Sequence, residues 1–153
     1  MFTLTRLFSA VLLGGLVWFL APYYEALWVP QTELGRFEPW LFRCGLVVGW
    51  IFMGGLIGVR GMWFSVYATV QGVVLTAIMA AGIFAVREVF ILGYRRRYTE
   101  PLDAVLGIPQ IAGEYLSWTL NTDFLLLAGA GATLVGVFLH LLHSWMEKRR
   151  HAR

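Results

Sequence analysis

Two histidines near the carboxyl end of the chain have a spacing that suits a metal ion or a pigment. His140 and His143 are three positions apart, so a helix would present both imidazoles on one face. Such nitrogens can bind a metal, and one histidine alone can ligate haem or chlorophyll. Glu147 lies a turn beyond and is expected to pair with the basic tail, so no third ligand completes a metal set. We interpret both histidines as interfacial polar residues and expect no metal or other cofactor.

Three consecutive arginines could bind an anion. The guanidinium groups of Arg95, Arg96 and Arg97 can form paired hydrogen bonds with an oxyanion or a lipid phosphate. Asp103 and Glu114 follow in the sequence and could pair with these arginines. The interpretation that we favour is a solvated basic cluster at a membrane surface, which helps to set the orientation of the chain.

The residue patterns that usually support catalysis are not recognisable in this sequence. There is no glycine-rich phosphate loop, nucleophilic triad or paired-carboxylate geometry. The single cysteine, Cys44, excludes an intrachain disulfide and a dithiol oxidoreductase, and we interpret it as a small packing residue. We therefore expect a protein without enzymatic activity.

The composition indicates an integral membrane protein. Of 153 residues, 59% are hydrophobic and 14% are charged, whereas a soluble domain is nearer half apolar and a quarter charged. The net charge of +3 arises from basic residues at the ends of apolar segments, where they set topology and contact anionic headgroups. We expect membrane lipids as partners and no nucleic acid.

Four apolar segments are long enough to cross a bilayer, which requires about 20 residues each. They cover residues 5–24, 41–59, 62–86 and 124–142. We expect Pro22 to mark the end of the first segment, and Thr122 or Asp123 to cap the start of the last. The predicted fold is an all-α, polytopic membrane helical bundle that forms a single domain over residues 1–153.

Residues 101–121 form a different kind of segment. Its polar or small positions recur at steps of three and four residues, which is typical of an amphipathic helix. Two acids and two prolines make it a poor lipid-facing span, so we expect it to lie in the interface or against the bundle. With four crossings the basic residues divide equally between the two sides, so the positive-inside rule leaves the orientation open. A fifth crossing would give a strong basic bias to one side, and it remains the alternative.

Small residues recur along the predicted spans at a spacing that suits close helix packing. Four-residue steps place small side chains on one helix face and let two backbones approach each other. The second span has two such pairs, Gly45 with Gly49 and Gly54 with Gly58; the third has Gly72, Thr76 and Ala80; and the last has Ala128, Ala132 and Gly136. We interpret them as packing surfaces within the bundle, and the alternative is docking on the helices of a partner.

The predicted spans carry no ionisable group at mid-depth. Proton-coupled and ion-coupled transporters usually place such a group there, so its absence from the sequence argues against a self-sufficient pump. Thr69, Gln71 and Thr76 are the notable polar residues of the third span. We expect them to hydrogen-bond within or between helices.

Short motifs spread from about Gly35 to Arg149 carry a family resemblance. They are Gly35-Arg36-Phe37, Gly45, Gly49, Trp50, Arg60-Gly61, Arg95-Arg96-Arg97-Tyr98, Pro101, Asp103-Ala104-Val105 and Glu114-Tyr115. In these residues the chain resembles the TrgA-type tellurite-resistance membrane proteins of alphaproteobacteria. It departs from that pattern before Gly45, where Trp40 and Arg43 stand in place of an asparagine or small residues.

The resemblance implies a small, multi-pass protein of the bacterial inner membrane that is associated with tellurite resistance. It implies no catalytic residue and no cofactor. One hypothesis is an accessory subunit that packs with lipids or with a larger complex, such as a respiratory or photosynthetic one. The alternative is a small subunit of an oxyanion or solute transporter, with Arg95, Arg96 and Arg97 facing the anion.

Overall fold

The computed structural model describes residues 2–27, 37–57, 61–94 and 101–151. These residues form five helices and no strand. The helices are α1 (Phe2–Ala26), α2 (Phe37–Leu56), α3 (Met62–Tyr94), α4 (Pro101–Trp118) and α5 (Thr122–His151). By length and composition α1, α2, α3 and α5 could each cross a membrane. The predicted all-α membrane bundle is therefore confirmed.

Helix α1 does not end where the sequence pattern suggested. Pro22 lies inside the helix, which continues to Ala26, so the expectation that Pro22 marks its end is wrong. A proline removes one backbone hydrogen bond and crowds the carbonyl four residues earlier, here that of Trp18. Both side chains are exposed, so the disturbance falls on the outer face of α1. The buried Tyr24 lies on the inner face and packs the last turn against the bundle.

Helix α5 begins with a cap one residue earlier than expected. The side-chain oxygen of Asn121 accepts a hydrogen bond from the backbone N–H of Asp123 at 3.0 Å. The carbonyl oxygen of Asn121 also accepts the backbone N–H of Leu125 at 2.9 Å. Asn121 is thus the N-cap, a position that asparagine favours because its short amide reaches these free N–H groups. Thr122 and Asp123 instead form the first turn.

The helices pack around a shared core, and α1 and α3 make most of the contacts between helices. Helix α1 packs on α2 and α5, and α3 packs on α2, α4 and α5. The 33 residues of α3 make it about 50 Å long, whereas the hydrocarbon core of a bilayer is about 30 Å thick. Helix α4 packs against α3 and places Tyr115 beside Phe84. Beyond Phe84, which packs on Phe37 at the start of α2, helix α3 continues for ten residues to Tyr94.

The two ends of the bundle can be identified from cross-helix contacts. At one end Gly54 of α2 lies against Arg6 of α1, and the side chain of Ser65 meets that of His140. At the other end of the bundle, the end of α1 and the start of α5 meet α4 in an aromatic cluster, which is described below. We call the first end, which carries the start of α1 and the end of α5, the terminal end.

This arrangement predicts that α4 and the end of α5 lie on opposite sides of the membrane. Asp103 of α4 and Lys148 of α5 are both exposed, so a cysteine at either position is expected to react with a thiol reagent. In a background with Cys44→Ala, an impermeant maleimide added to right-side-out and inverted vesicles should label the two positions from opposite sides. Labelling from the same side would establish that α4 crosses the membrane and would reverse the assignment.

Candidate functional site: helix seams and an aromatic cluster

The three candidate anion-binding residues, Arg95, Arg96 and Arg97, lie outside the described residues, as does Gly58. In the sequence the arginines join the end of α3 to the start of α4. Asp103 and Glu114 are both exposed on α4. Their pairing with the arginines stays a prediction.

Helices α1 and α2 approach each other through backbone atoms. A Cβ atom built on Gly45 would lie 2.8 Å from the Cα of Gly14, and one built on Gly49 would lie 2.6 Å from the Cα of Ala10. Real Cβ atoms essentially never come this close to another atom. Glycine at these two positions therefore allows the helix contact to form. We call this contact, formed by Ala10, Gly14, Gly45, Gly49 and Gly54, the α1–α2 seam.

A π-helical turn over Gly49–Met53 keeps Gly54 on this seam. Nine residues of regular α-helix would place Gly45 and Gly54 about 180° apart. In the wider turn the N–H of Gly54 donates to the carbonyl oxygen of Gly49, five residues earlier. Gly54 consequently faces α1, where an added Cβ atom would meet the side chain and the Cα of Arg6.

The fully buried hydroxyl of Ser9 supports the π-helical turn from across the seam. Its Oγ donates to the carbonyl oxygen of Gly49 at 3.0 Å and also lies 2.9 Å from the carbonyl oxygen of Arg6. Sequence reasoning missed Ser9, Ala10 and Gly14. The four-residue step from Ala10 to Gly14 is a small-residue signal that could have identified the α1 face.

A second seam joins α3 to α5. A Cβ atom on Gly136 would lie 2.7 Å from the Cα of Val66 and 3.1 Å from Oγ1 of Thr69. Ala132 and Ala128 are buried at 1% and 8% exposure, one and two turns before Gly136. These three predicted packing residues therefore follow one buried stripe of α5.

Gly72 is in contact with a side chain rather than with a neighbouring backbone. A Cβ atom there would lie 2.7 Å from Sδ of Met53 and 3.2 Å from Cδ2 of Leu13. Both Met53 and Leu13 are fully buried. Gly72 thus leaves room for core side chains between α1, α2 and α3.

Three polar side chains of α3, those of Thr69, Gln71 and Thr76, form hydrogen bonds within that helix. The hydroxyls of Thr69 and Thr76 donate to the carbonyl oxygens four residues earlier, at 2.9 and 2.7 Å. The amide of Gln71 donates to Oη of Tyr67 at 2.8 Å. These hydrogen bonds satisfy the three side-chain donors within the helix, in line with the expectation from the sequence.

The two histidines take different partners. Nδ1 of His140 lies 3.5 Å from Oγ of Ser65 on α3, and Nε2 of His143 lies 3.7 Å from a carboxylate oxygen of Glu147. Within the described part of the chain, no three His, Cys, Asp or Glu side chains group so as to hold a metal ion. His140 therefore belongs to the α3–α5 contact, whereas the contact found for Glu147 is with His143.

Each of the five helices contributes one aromatic residue to a cluster at the end of the bundle opposite to the terminal end. The ring of Tyr24 stacks on Phe37 at 5.4 Å between centroids and meets Phe124 edge-on at 6.0 Å, while Phe37 packs on Phe84 at 5.0 Å. The buried hydroxyl of Tyr24 donates to the backbone carbonyl of Tyr115 at 2.8 Å. We call these five residues the aromatic cluster, and it ties α4 to the four long helices.

The aromatic cluster lines a small cavity of about 70 Å³, which is bounded mainly by apolar side chains. Burial raises the pKa of Tyr115 to about 12, and the carboxylates of Glu88 and Glu114 contribute to this shift. The shift favours the neutral, protonated form of the Tyr115 hydroxyl. The ring contacts and the apolar lining make this cluster a packing contact between the helices.

Comparison with protein-family models, with curated proteins and with solved structures finds no match for this chain. The family resemblance consequently rests on the sequence motifs alone.

Proposed function

We propose that this protein is a non-catalytic accessory protein of the bacterial inner membrane, of the TrgA tellurite-resistance type. It acts by packing with lipids and with a larger membrane complex. The proposal rests on the hydrogen bonds and contacts that the buried polar side chains form. Ser9, Ser65, Thr69 and Thr76 are fully buried, and each hydroxyl is engaged in or between the packed helices. Ser9 and Ser65 thus make contacts between helices, whereas Thr69 and Thr76 bond to the backbone of their own helix.

The outer faces of the helices supply the surface for such packing. Only 22–39% of each spanning segment is buried within the protein, and α5 has the lowest share. Large apolar side chains such as Leu126 and Leu134 of α5 are 68% and 73% exposed. These faces suit lipid chains or the helices of a respiratory or photosynthetic complex. Tellurite damage involves membrane redox chemistry, so a protein that stabilises such a complex would also confer resistance.

The arginine cluster supports a second candidate, a small subunit of an oxyanion transporter. Arg95, Arg96 and Arg97 follow directly after the extended end of α3 in the sequence. If they bind an oxyanion, the planar guanidinium fork matters, because lysine keeps the charge but loses the paired hydrogen bonds. If they contact anionic lipid or set topology, charge alone is sufficient.

Tellurite tolerance of cells that carry a triple substitution tests this choice. We expect cells with Arg→Lys at 95, 96 and 97 to match the parent, and cells with Arg→Ala at the same positions to be more sensitive. Protein abundance in the membrane is measured for each variant as the control. A lysine variant that is well expressed and yet as sensitive as a deletion would contradict the accessory role and favour oxyanion binding.

A further inference from the structure

One outer stripe of α2 carries a single charged side chain. Trp40, Arg43, Val47 and Trp50 follow one another at steps of three and four residues, and all four are exposed. Such steps place side chains on one face of a helix, and the other side of α2 is buried in the bundle. Because α2 is long and apolar enough to cross a membrane, this stripe faces lipid, and Arg43 is its charged member.

Arg43 has no acidic partner among the described residues. The contact found for its side chain there is with the ring of Trp40, and the ion pair found there joins His143 to Glu147. Glu38, the acid of α2, is half-buried and lies about 140° around the helix from Arg43. A charge at a lipid-facing position is costly unless a counter-charge or polar headgroups surround it. Arg43 therefore requires a partner that the described part of the chain does not supply.

The guanidinium of Arg43 is directed toward the nearer surface of the membrane. Arg43 lies six residues, or about 9 Å, after Phe37, where α2 begins. Its Cζ is 5.2 Å from the ring centre of Trp40, one turn closer to the start of the helix. Long basic side chains near a helix end extend in this way to bring their charge to the headgroup region, where tryptophan is also enriched. The Arg43–Trp40 pair thus presents its polar atoms at the depth of the headgroups.

We propose that Arg43 and Trp40 bind the phosphate of one phospholipid. The guanidinium N–H groups can form paired hydrogen bonds with a phosphate, and the indole N–H of Trp40 is a further donor. Beyond Arg43 the stripe continues toward the middle of α2 with Val47 and Trp50, which are 47% and 39% exposed. This apolar continuation favours a phosphate that carries hydrocarbon chains over free inorganic phosphate. The site goes beyond the accessory role, since it requires only that α2 crosses the membrane.

Quenching of Trp40 fluorescence by brominated lipids tests the site. In one variant Trp40 is the only tryptophan, and in a control variant the only tryptophan is Trp18, which is exposed on α1. Each variant in detergent micelles is titrated with chain-brominated phosphatidylglycerol or with chain-brominated diacylglycerol, which has the same chains and no phosphate. We expect Trp40 to reach half-quenching at about a tenfold lower mole fraction of phosphatidylglycerol, in line with the strength of hydrogen bonds to charged groups. Trp18 should be quenched equally by the two lipids.

Two substitutions that each remove one positive charge assign the preference to Arg43. We expect Arg43→Gln to abolish the difference between the two lipids at Trp40, whereas Lys148→Gln, at the exposed end of α5, should retain it. Added inorganic phosphate should leave the quenching unchanged, because the site selects a phosphate with hydrocarbon chains. Circular dichroism verifies that each variant is folded before the lipids are compared. Equal quenching of Trp40 by both lipids when Arg43 is present, a preference that survives Arg43→Gln, or displacement of the lipid by inorganic phosphate would overturn the proposal.

Discussion

Replacing Gly49 with leucine is expected to lower the free energy of unfolding by about 1–3 kcal/mol. The added Cβ would meet the Cα of Ala10 at 2.6 Å and the carbonyl oxygen of Ser9 at 2.7 Å. Both neighbours are backbone atoms, so the strain is relieved only if α1 moves away from α2. The same movement would break the hydrogen bond from Ser9 to the π-helical turn.

Gly55→Leu provides the matched control. Gly55 lies in the same helix, is exposed, and has no atom within 4 Å of the position of an added Cβ. Unfolding in mixed micelles of increasing denaturing-detergent content, followed by circular dichroism, compares the two variants. Ala132→Leu should behave like Gly49→Leu, because Ala132 is buried at 1% exposure on the α3–α5 seam. Equal stability of the Gly49 and Gly55 variants would show that the seam is not a close backbone contact.

Replacing Tyr24 with alanine is expected to loosen α4 from the bundle. Removing a buried aromatic ring costs about 3–5 kcal/mol in soluble cores. Here it would also remove the stacking on Phe37, the edge contact with Phe124 and the hydrogen bond to Tyr115. Amide hydrogen exchange should accelerate along α4, which has few other contacts outside α3.

Tyr24→Phe separates the contribution of the ring from that of the hydroxyl. This variant keeps the aromatic packing but leaves the carbonyl oxygen of Tyr115 without its donor, at a cost of about 1 kcal/mol. We expect a small increase in exchange near Tyr115, compared with a large increase along all of α4 for Tyr24→Ala. Equal exchange in the alanine variant and the parent would contradict the role of the aromatic cluster in holding α4.

The spanning helices could be predicted from the sequence because hydropathy is a local property. In a bilayer each helix must satisfy its own backbone groups, so an apolar run of sufficient length is already an adequate signal. The amphipathic segment at 101–121, which forms α4 over Pro101–Trp118, was visible for a similar reason, since its polar stripe is repeated along the chain. The bounds of these elements then shift by a few residues through local effects such as the Asn121 cap.

The residues that hold the bundle together were harder to predict because their role depends on distant partners. The step of five residues from Gly49 to Gly54 fits no regular helix face, and only the π-helical turn, supported by Ser9, aligns them. Tyr23 and Tyr24 give the same interfacial signal in the sequence, yet Tyr23 is 49% exposed and Tyr24 is 8% exposed. Which of two adjacent aromatic rings faces the core follows from packing, which no local pattern encodes.

Extraction in a mild detergent, followed by size separation and mass spectrometry, tests most directly whether the protein is an accessory subunit of a larger membrane complex. We expect the chain to elute far above the size of its own micelle, in constant proportion to the subunits of one multi-subunit membrane complex. An unrelated four-span protein extracted from the same membranes serves as the control for incomplete solubilisation. Elution of the folded chain with lipid alone, at unchanged abundance and in several mild detergents, would contradict the proposed role.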